Sequence, residues 1–434
     1  MGSLKVAVIG GGVAGMISAR ELHREGHRVT IFEKSEKLGG LWVYDPRVES
    51  DPLSHKLVHS SVYFSLRTNL PRVLMSFSDF SFEQREYGDP RDFPGHQEMV
   101  AFLNDFATRF GIHSLARFNS EVVRVERVDE RVDEWVVEWR KMGEVKRGVQ
   151  LEQENFHAVV VANGHCSVPR VADIPGIEKW PGKQIHSHNY RVPEPFKDEV
   201  VVIIGNGASA LDISHDISKF AKEVHLSSRS PDVKFSILNH CCNNLWQHSA
   251  INMAKEDGTI DFEDGSSIVA NIIMHCTGYK YELPFLKTNG IVSIDDNCVG
   301  PLYKHVFPPK LAPWLSFVGL PQKTIIFEML ELQSKWIARV LSTKVALPSK
   351  EEMMADVQEY YQQMTTLGLP KHLTHYLQNF EEYLDWLAAQ VGTSSLQWRK
   401  ELYKETVKRL LNNDNGYRDD PRLLNSLFKM LFSS

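Results

Sequence analysis

Two glycine-rich strand-to-helix turns constrain this chain more than any other feature. The apolar run Val6-Ala7-Val8-Ile9 enters Gly10-Gly11-Gly12-Val13-Ala14-Gly15, and Val201-Val202-Ile203-Ile204 enters Gly205-Asn206-Gly207-Ala208-Ser209-Ala210. Each couples a strand-like run to G-x-G-x-x-G/A at the opening of a helix. In that geometry, backbone N–H groups and a positive helix end face a pyrophosphate that glycine lets come close. Helical text follows both turns, as Met16-Ile17-Ser18-Ala19-Arg20-Glu21-Leu22 and Leu211-Asp212-Ile213-Ser214-His215-Asp216-Ile217. One such turn is a weak signal. Two of them predict two dinucleotides bound by one chain.

The ends of the following strands say which dinucleotide goes where. After Arg28-Val29-Thr30-Ile31-Phe32 stands Glu33, at the distance where an acid binds the ribose hydroxyls of an adenosine. A carboxylate there repels a 2′-phosphate, so the first site suits FAD or NAD. After Glu223-Val224-His225-Leu226 the chain reads Ser227-Ser228-Arg229, with a cation where the acid would be. A guanidinium fork suits a phosphate, so the second site suits NADP.

Composition narrows the class. The chain has 434 residues and a formal net charge of -6, enough for two or three domains and with no basic excess that would suggest a nucleic-acid partner. No apolar run reaches the length of a membrane span. Met1-Gly2-Ser3 looks like a myristoylation start, but Val6 stands where Ser or Thr is required. Residues 423–432 are expected to form a last amphipathic helix packed on the body rather than a stable membrane anchor. Five cysteines, Cys166, Cys241, Cys242, Cys276 and Cys298, suit a reducing, cytoplasmic setting. None lies in a C-x-x-C, so the dithiol relay of flavoprotein disulfide reductases is missing, and dioxygen becomes the obvious electron acceptor.

The organisation is α/β: two Rossmann-like dinucleotide-binding domains, the NADP domain inserted into the FAD domain, and a helical C-terminal extension. The expected segments are 1–165 (FAD domain, first part), 166–197 (connector), 198–273 (NADP domain) and 274–434 (FAD domain, second part, with C-terminal helices). Residues 156–162 read as one buried strand, Trp135–Trp139 as part of a hairpin, and Trp314–Gly319 as a further strand of the FAD sheet. A helix is expected at Glu328–Trp336, and Ser349-Lys350-Glu351-Glu352 matches a capping box.

Between the two glycine turns lies Trp180-Pro181-Gly182-Lys183-Gln184-Ile185-His186-Ser187-His188-Asn189-Tyr190. It resembles the F-x-G-x-x-x-H-x-x-x-Y/F fingerprint of flavin-containing monooxygenases, with Trp180 in place of the usual Phe. Gly39-Gly40-Leu41-Trp42, Ser65-Leu66-Arg67-Thr68-Asn69-Leu70, Phe93-Pro94-Gly95-His96 and Cys276-Thr277-Gly278-Tyr279 are similar to the same family. Within it the chain resembles the plant S-oxygenating members, the glucosinolate and S-alk(en)yl-cysteine oxygenases.

The resemblance implies that NADPH reduces the flavin, dioxygen adds at its C4a carbon, and the hydroperoxide passes one oxygen to a small-molecule thioether. No metal is called for, because the cofactor carries the reactive oxygen. It also implies that Glu33, Lys34, Gly40, Leu41 and Trp42 hold FAD. Asn69, flanked by Thr68 and Leu70, would be the catalytic amide beside flavin and nicotinamide, and Gln333 would reach the flavin from its helix. His186 is a candidate acid–base group, but orienting the connector is the role favoured for it. His55, His59 and His96 lack metal-ligand spacing, and His372 and His375 lack a third ligand. Open alternatives are N-hydroxylation, Baeyer–Villiger chemistry (disfavoured because Arg191 follows Tyr190), an uncoupled NADPH oxidase and a non-catalytic flavoprotein.

Overall fold

An unbroken run of small and β-branched apolar residues suits a strand covered on both faces. β1 (Lys5–Ile9) is such a strand, with Val6, Ala7 and Val8 fully buried. The computed structural model describes residues 2–129, 132–143, 151–230, 236–237, 243–412 and 416–420, and the chain divides into two units. The first comprises Met1–Val43, Leu70–His165 and Tyr281–Tyr403; the second comprises Tyr44–Asn69, Cys166–Lys280 and Lys404–Ser434. Residues 44–69 and the described residues from Lys404 onward, assigned from sequence to the FAD domain, thus cluster with the second glycine turn.

In the first unit, β1 is the middle strand of a five-stranded parallel sheet. β2 (Arg28–Phe32) and then Ala116–Arg117 lie on one side; Ala158–Val161 and then Leu315–Phe317 lie on the other. Strand order reverses at β1, so its C-terminal end opens onto a topological switch point, where α1 (Val13–Arg24) begins. The run 156–162 is not one strand, as expected, but two. Leu151–Phe156 is the edge strand of a second, mixed sheet, pairing antiparallel with Val132–Lys141, and after His157 the chain re-enters the parallel sheet as Ala158–Val161. That second sheet orders Leu286–Lys287, Ser120–Asp129, Val132–Lys141 and Leu151–Phe156. Its Trp135, Trp139 and Phe156 pack with Phe32, Val159 and Phe317 in one buried cluster.

The second unit repeats the plan. β3 (Val200–Ile204), α2 (Ala208–Ser218) and β4 (Glu223–Ser227) follow one another around the second turn. The sheet runs Ser236–Ile237, Leu245–His248, β4, β3, Ile272–His275, Lys183–His186, parallel except for its first strand. Alternation along β3 sorts its two faces. Val201 and Ile203 pack with Ala210, Ile213 and Ile217 of α2, whereas Val200 and Val202 pack with Ile260 and Phe262 of a three-stranded meander. Beyond the sheets, Ile326–Leu341, Lys350–Thr366, Phe380–Gln390 and Gln397–Leu411 are helices, and Ser349 and Glu352 form the capping box. No helix among the described residues is long and apolar enough to cross a membrane. The expected helix at 423–432, and Cys241 and Cys242, lie outside the described residues.

Candidate functional site

At the first turn three glycines are present for three different reasons. Gly10 has φ +106°, and a Cβ there would stand 2.6 Å from the Ala162 carbonyl oxygen. A Cβ on Gly15 would come within 1.9 Å of the Gly10 carbonyl oxygen, so only glycine lets α1 begin this close to the strand. Gly12 differs: a Cβ there meets no described atom nearer than Gly40 Cα at 3.6 Å. No described residue requires glycine at this position, which is what a cradle kept open for a ligand looks like. Gly12 is the N-cap of α1, which has no side-chain cap and no acid in its first turn. Its leading N–H groups are left for an anion.

Glu33 sits at this turn, buried. Its Oε2 accepts the Gly11 N–H at 2.7 Å, and its Oε1 accepts the Ser35 N–H and hydroxyl, each at 2.7 Å. A carboxylate has about four lone-pair sites, so capacity remains for a ribose hydroxyl. Gly11, at a position the motif leaves free, makes this packing possible. A Cβ there would lie 2.9 Å from Glu33 Oε2 and 2.8 Å from Leu38 Cδ2. The short helix Gly40–Trp42 is tied to the turn by Gly39 N–H donating to Gly11 O at 3.0 Å. Leu41 and Trp42 are half-buried, whereas Lys34 is exposed, 4.0 Å from Glu121.

The second turn has the same frame with different fittings. Gly205 has φ +140°, and a Cβ there would stand 2.5 Å from the Cys276 carbonyl oxygen. At Gly207, the N-cap of α2, a Cβ would meet no described atom within 4 Å, and α2 also lacks a side-chain cap and a first-turn acid. Ala210 replaces the last glycine and is buried in the core. Ser227 and Ser228 are buried, while Arg229 is exposed, and no described residue engages its guanidinium. That exposed fork is suited to a phosphate.

Thr68 and Asn69 lie in the second unit within a polar cluster built on α2. Asp212 accepts from the Tyr63 hydroxyl at 2.8 Å and from both terminal nitrogens of Arg418, at 2.6 and 3.0 Å. One turn on, Asp216 accepts from the Ser65 hydroxyl at 2.6 Å and the Tyr190 hydroxyl at 2.7 Å. Arg418 reaches Asn69 itself, donating to Oδ1 at 2.7 Å. The Thr68 hydroxyl is buried without a partner among the described residues, an orphan polar atom of the kind a bound group satisfies. Sequence reasoning named Asn69 but missed Tyr63, Asp212, Asp216 and Arg418. The spacing of Asp212 and Asp216, four apart on a helix, was the one available signal.

Within the fingerprint, Gly182 is glycine because the Trp180 ring folds over it, within 2.1 Å of where a Cβ would be. Trp180 Nε1 donates to Gly258 O at 3.1 Å. His186 is fully buried; its Nδ1 accepts the His188 N–H, and its Nε2 donates to Gly278 O at 3.0 Å. Burial holds its pKa down at about 3, so it is a neutral strut orienting the connector. Gln333 is fully buried, its Oε1 accepts the Gly319 N–H at 3.0 Å, and its Nε2 donates to the Tyr383 hydroxyl at 2.8 Å. These two bonds fix the backbone after Leu315–Phe317.

A family model described as flavin-binding monooxygenase-like matches residues 3–244 and 236–399. Flavin-containing monooxygenase FMO GS-OX5 of Arabidopsis thaliana is 53% identical over 428 residues, spanning 96% of this chain and 91% of that protein. The solved structure of S-allyl-L-cysteine S-oxygenase from Allium sativum superposes with a TM-score of 0.93 at 49% identity, covering 100% of this chain and 99% of the other. Tmm from Pelagibacter shares the fold at a TM-score of 0.81 and 23% identity, over 96% of this chain and 93% of that one.

Proposed function

The chain belongs to the flavin-binding monooxygenase family, an FAD- and NADPH-dependent class of oxidoreductase, and from that premise we propose that it converts small thioethers to sulfoxides. The observation that carries the reading is the pair of open cradles, one beside a carboxylate and the other beside an exposed guanidinium. Sulfur as the target is supported by the likeness to an S-allyl-L-cysteine S-oxygenase over essentially the whole chain. S-alk(en)yl-cysteines and methylthioalkyl glucosinolates are the substrate classes of choice.

When bound, FAD supplies the reactive oxygen, drawn from dioxygen with electrons from NADPH. The chain's own residues bind and orient. Gly10–Gly15 and the start of α1 hold the FAD pyrophosphate, and Glu33 accepts from its ribose. Gly205–Ala210 and the start of α2 hold the NADPH pyrophosphate, with Arg229 on the 2′-phosphate. The side chain of Asn69 hydrogen-bonds at the reacting centre without bringing an acidic proton that would discharge hydrogen peroxide.

The test is a substrate panel of alkyl-cysteines, methylthioalkyl glucosinolates and simple amines, each supplied with FAD, NADPH and air. Sulfoxide formed in step with NADPH is the expected result. Products from the amines alone, or hydrogen peroxide with no product, would overturn sulfur oxygenation.

A further inference from the structure

We propose that Arg418 is a positioning residue that fixes Asn69 as a hydrogen-bond donor at the reacting centre. The proposal deepens the reading above and rests on Asn69 taking part in the reaction. A guanidinium has only donors. Because Arg418 Nη2 lies 2.7 Å from the Asn69 side chain, the amide must turn its oxygen toward it. The NH2 group then points elsewhere, and no described residue accepts from it. The amide oxygen keeps one lone pair beside Arg418, and its two N–H groups are the part it presents away from the guanidinium.

The arginine is held well enough to impose this orientation. Its side chain is 13% exposed and makes a two-pronged ion pair with Asp212 on α2. Its Nε donates to the Thr68 carbonyl at 3.0 Å, and the neighbouring Tyr417 hydroxyl donates to the Asn69 carbonyl at 3.4 Å. Arg67 pairs with both oxygens of Asp419 at 2.8 Å, so residues 417–419 engage residues 67–69 at several consecutive points. Asp212, fixed in turn by Tyr63, transmits the position of α2, the helix that the second glycine turn opens. Asn69 and the NADPH cradle therefore share one rigid element.

The experiment compares Asn69→Asp, Arg418→Met, Arg418→Lys and the Asn69→Asp/Arg418→Met double variant, each with measured flavin content. Aspartate keeps an oxygen for Arg418 but has no donor; methionine removes the clasp; lysine keeps the charge opposite Asp212 but cannot fork to Asn69. In FAD-free protein, Asn69→Asp should melt no lower than the parent, and the aspartate should lower the melting temperature once Arg418 is methionine. In loaded enzyme, sulfoxide is counted per NADPH consumed, which separates coupling from the rate of flavin reduction. Sulfoxide per NADPH should fall roughly tenfold, the scale of one charge-assisted hydrogen bond, with no further loss in the double variant. If Arg418→Met does not fold, Arg418→Lys carries the same comparison. Parental yield in Asn69→Asp would overturn the role of Asn69 itself. Parental yield in Arg418→Lys or Arg418→Met, with Asn69→Asp uncoupled, would overturn Arg418 alone. An Asn69→Asp apoprotein that melts lower than the parent would overturn the clasp.

Discussion

The two glycine turns share a backbone and differ in what surrounds it. In both, the first glycine adopts positive φ beneath the carbonyl just past the end of the neighbouring strand, and the second stands open at a helix N-terminus without a side-chain cap. The differences lie at the other two positions. Gly11 yields space to the buried carboxylate of Glu33, whereas Asn206 fills the same place in a turn that has no acid to accommodate. Gly15 lets α1 start against the strand, whereas Ala210 carries a methyl group that is buried in the core of its own unit. The shared glycines answer to the pyrophosphate. The variable ones answer to the rest of the nucleotide and to packing.

Breaking this contrast should cost most at Gly15. Gly15→Ala drives a methyl into the Gly10 carbonyl, a strain of about 3 kcal/mol or more, and should yield a colourless protein with a lowered melting temperature. Ala210→Gly, the reverse change, should remain yellow and lose only about 0.5–1 kcal/mol of stability. Thermal melting with and without added FAD separates the two results.

Arg229→Ala comes next. Loss of charge-assisted hydrogen bonds to a 2′-phosphate removes about 1.5–3 kcal/mol, roughly tenfold to a hundredfold in affinity. NADPH kinetics should worsen by that factor while NADH kinetics stay constant. Equal losses with both coenzymes would make Arg229 structural. Smallest is Gly11→Ala, which pushes Glu33 aside and should weaken FAD binding by about 1 kcal/mol, read by flavin titration. Asn206→Gly, its counterpart, should change NADPH binding little.

Much of this contrast is legible in the sequence. Strand text, glycine spacing and the residue at the end of the next strand are local, so both turns, Glu33, Arg229 and the parallel sheets can be read from short windows. Relations between distant residues cannot. Gln333 sits on a correctly expected helix, but its burial and its bonds to Gly319 and Tyr383 depend on elements far apart in sequence. Arg418 belongs to no motif and meets Asn69 across 349 positions. Gly11 occupies a free position of its motif, and its reason becomes visible only with Leu38 and Glu33 beside it. The run 156–162 misleads because two strands of different sheets abut at His157, with no glycine or proline to mark the junction.

The central claim is that the first turn holds FAD and the second holds NADPH. Gly12→Val and Gly207→Val test it most directly, because neither position is crowded by described residues, and both variants should fold. Flavin absorbance and an NADP+ titration are measured on each. The expected result is that Gly12→Val is colourless yet still binds NADP+, and that Gly207→Val is yellow but has lost most NADP+ affinity. Normal flavin in Gly12→Val, or loss of flavin rather than NADP+ in Gly207→Val, would contradict it.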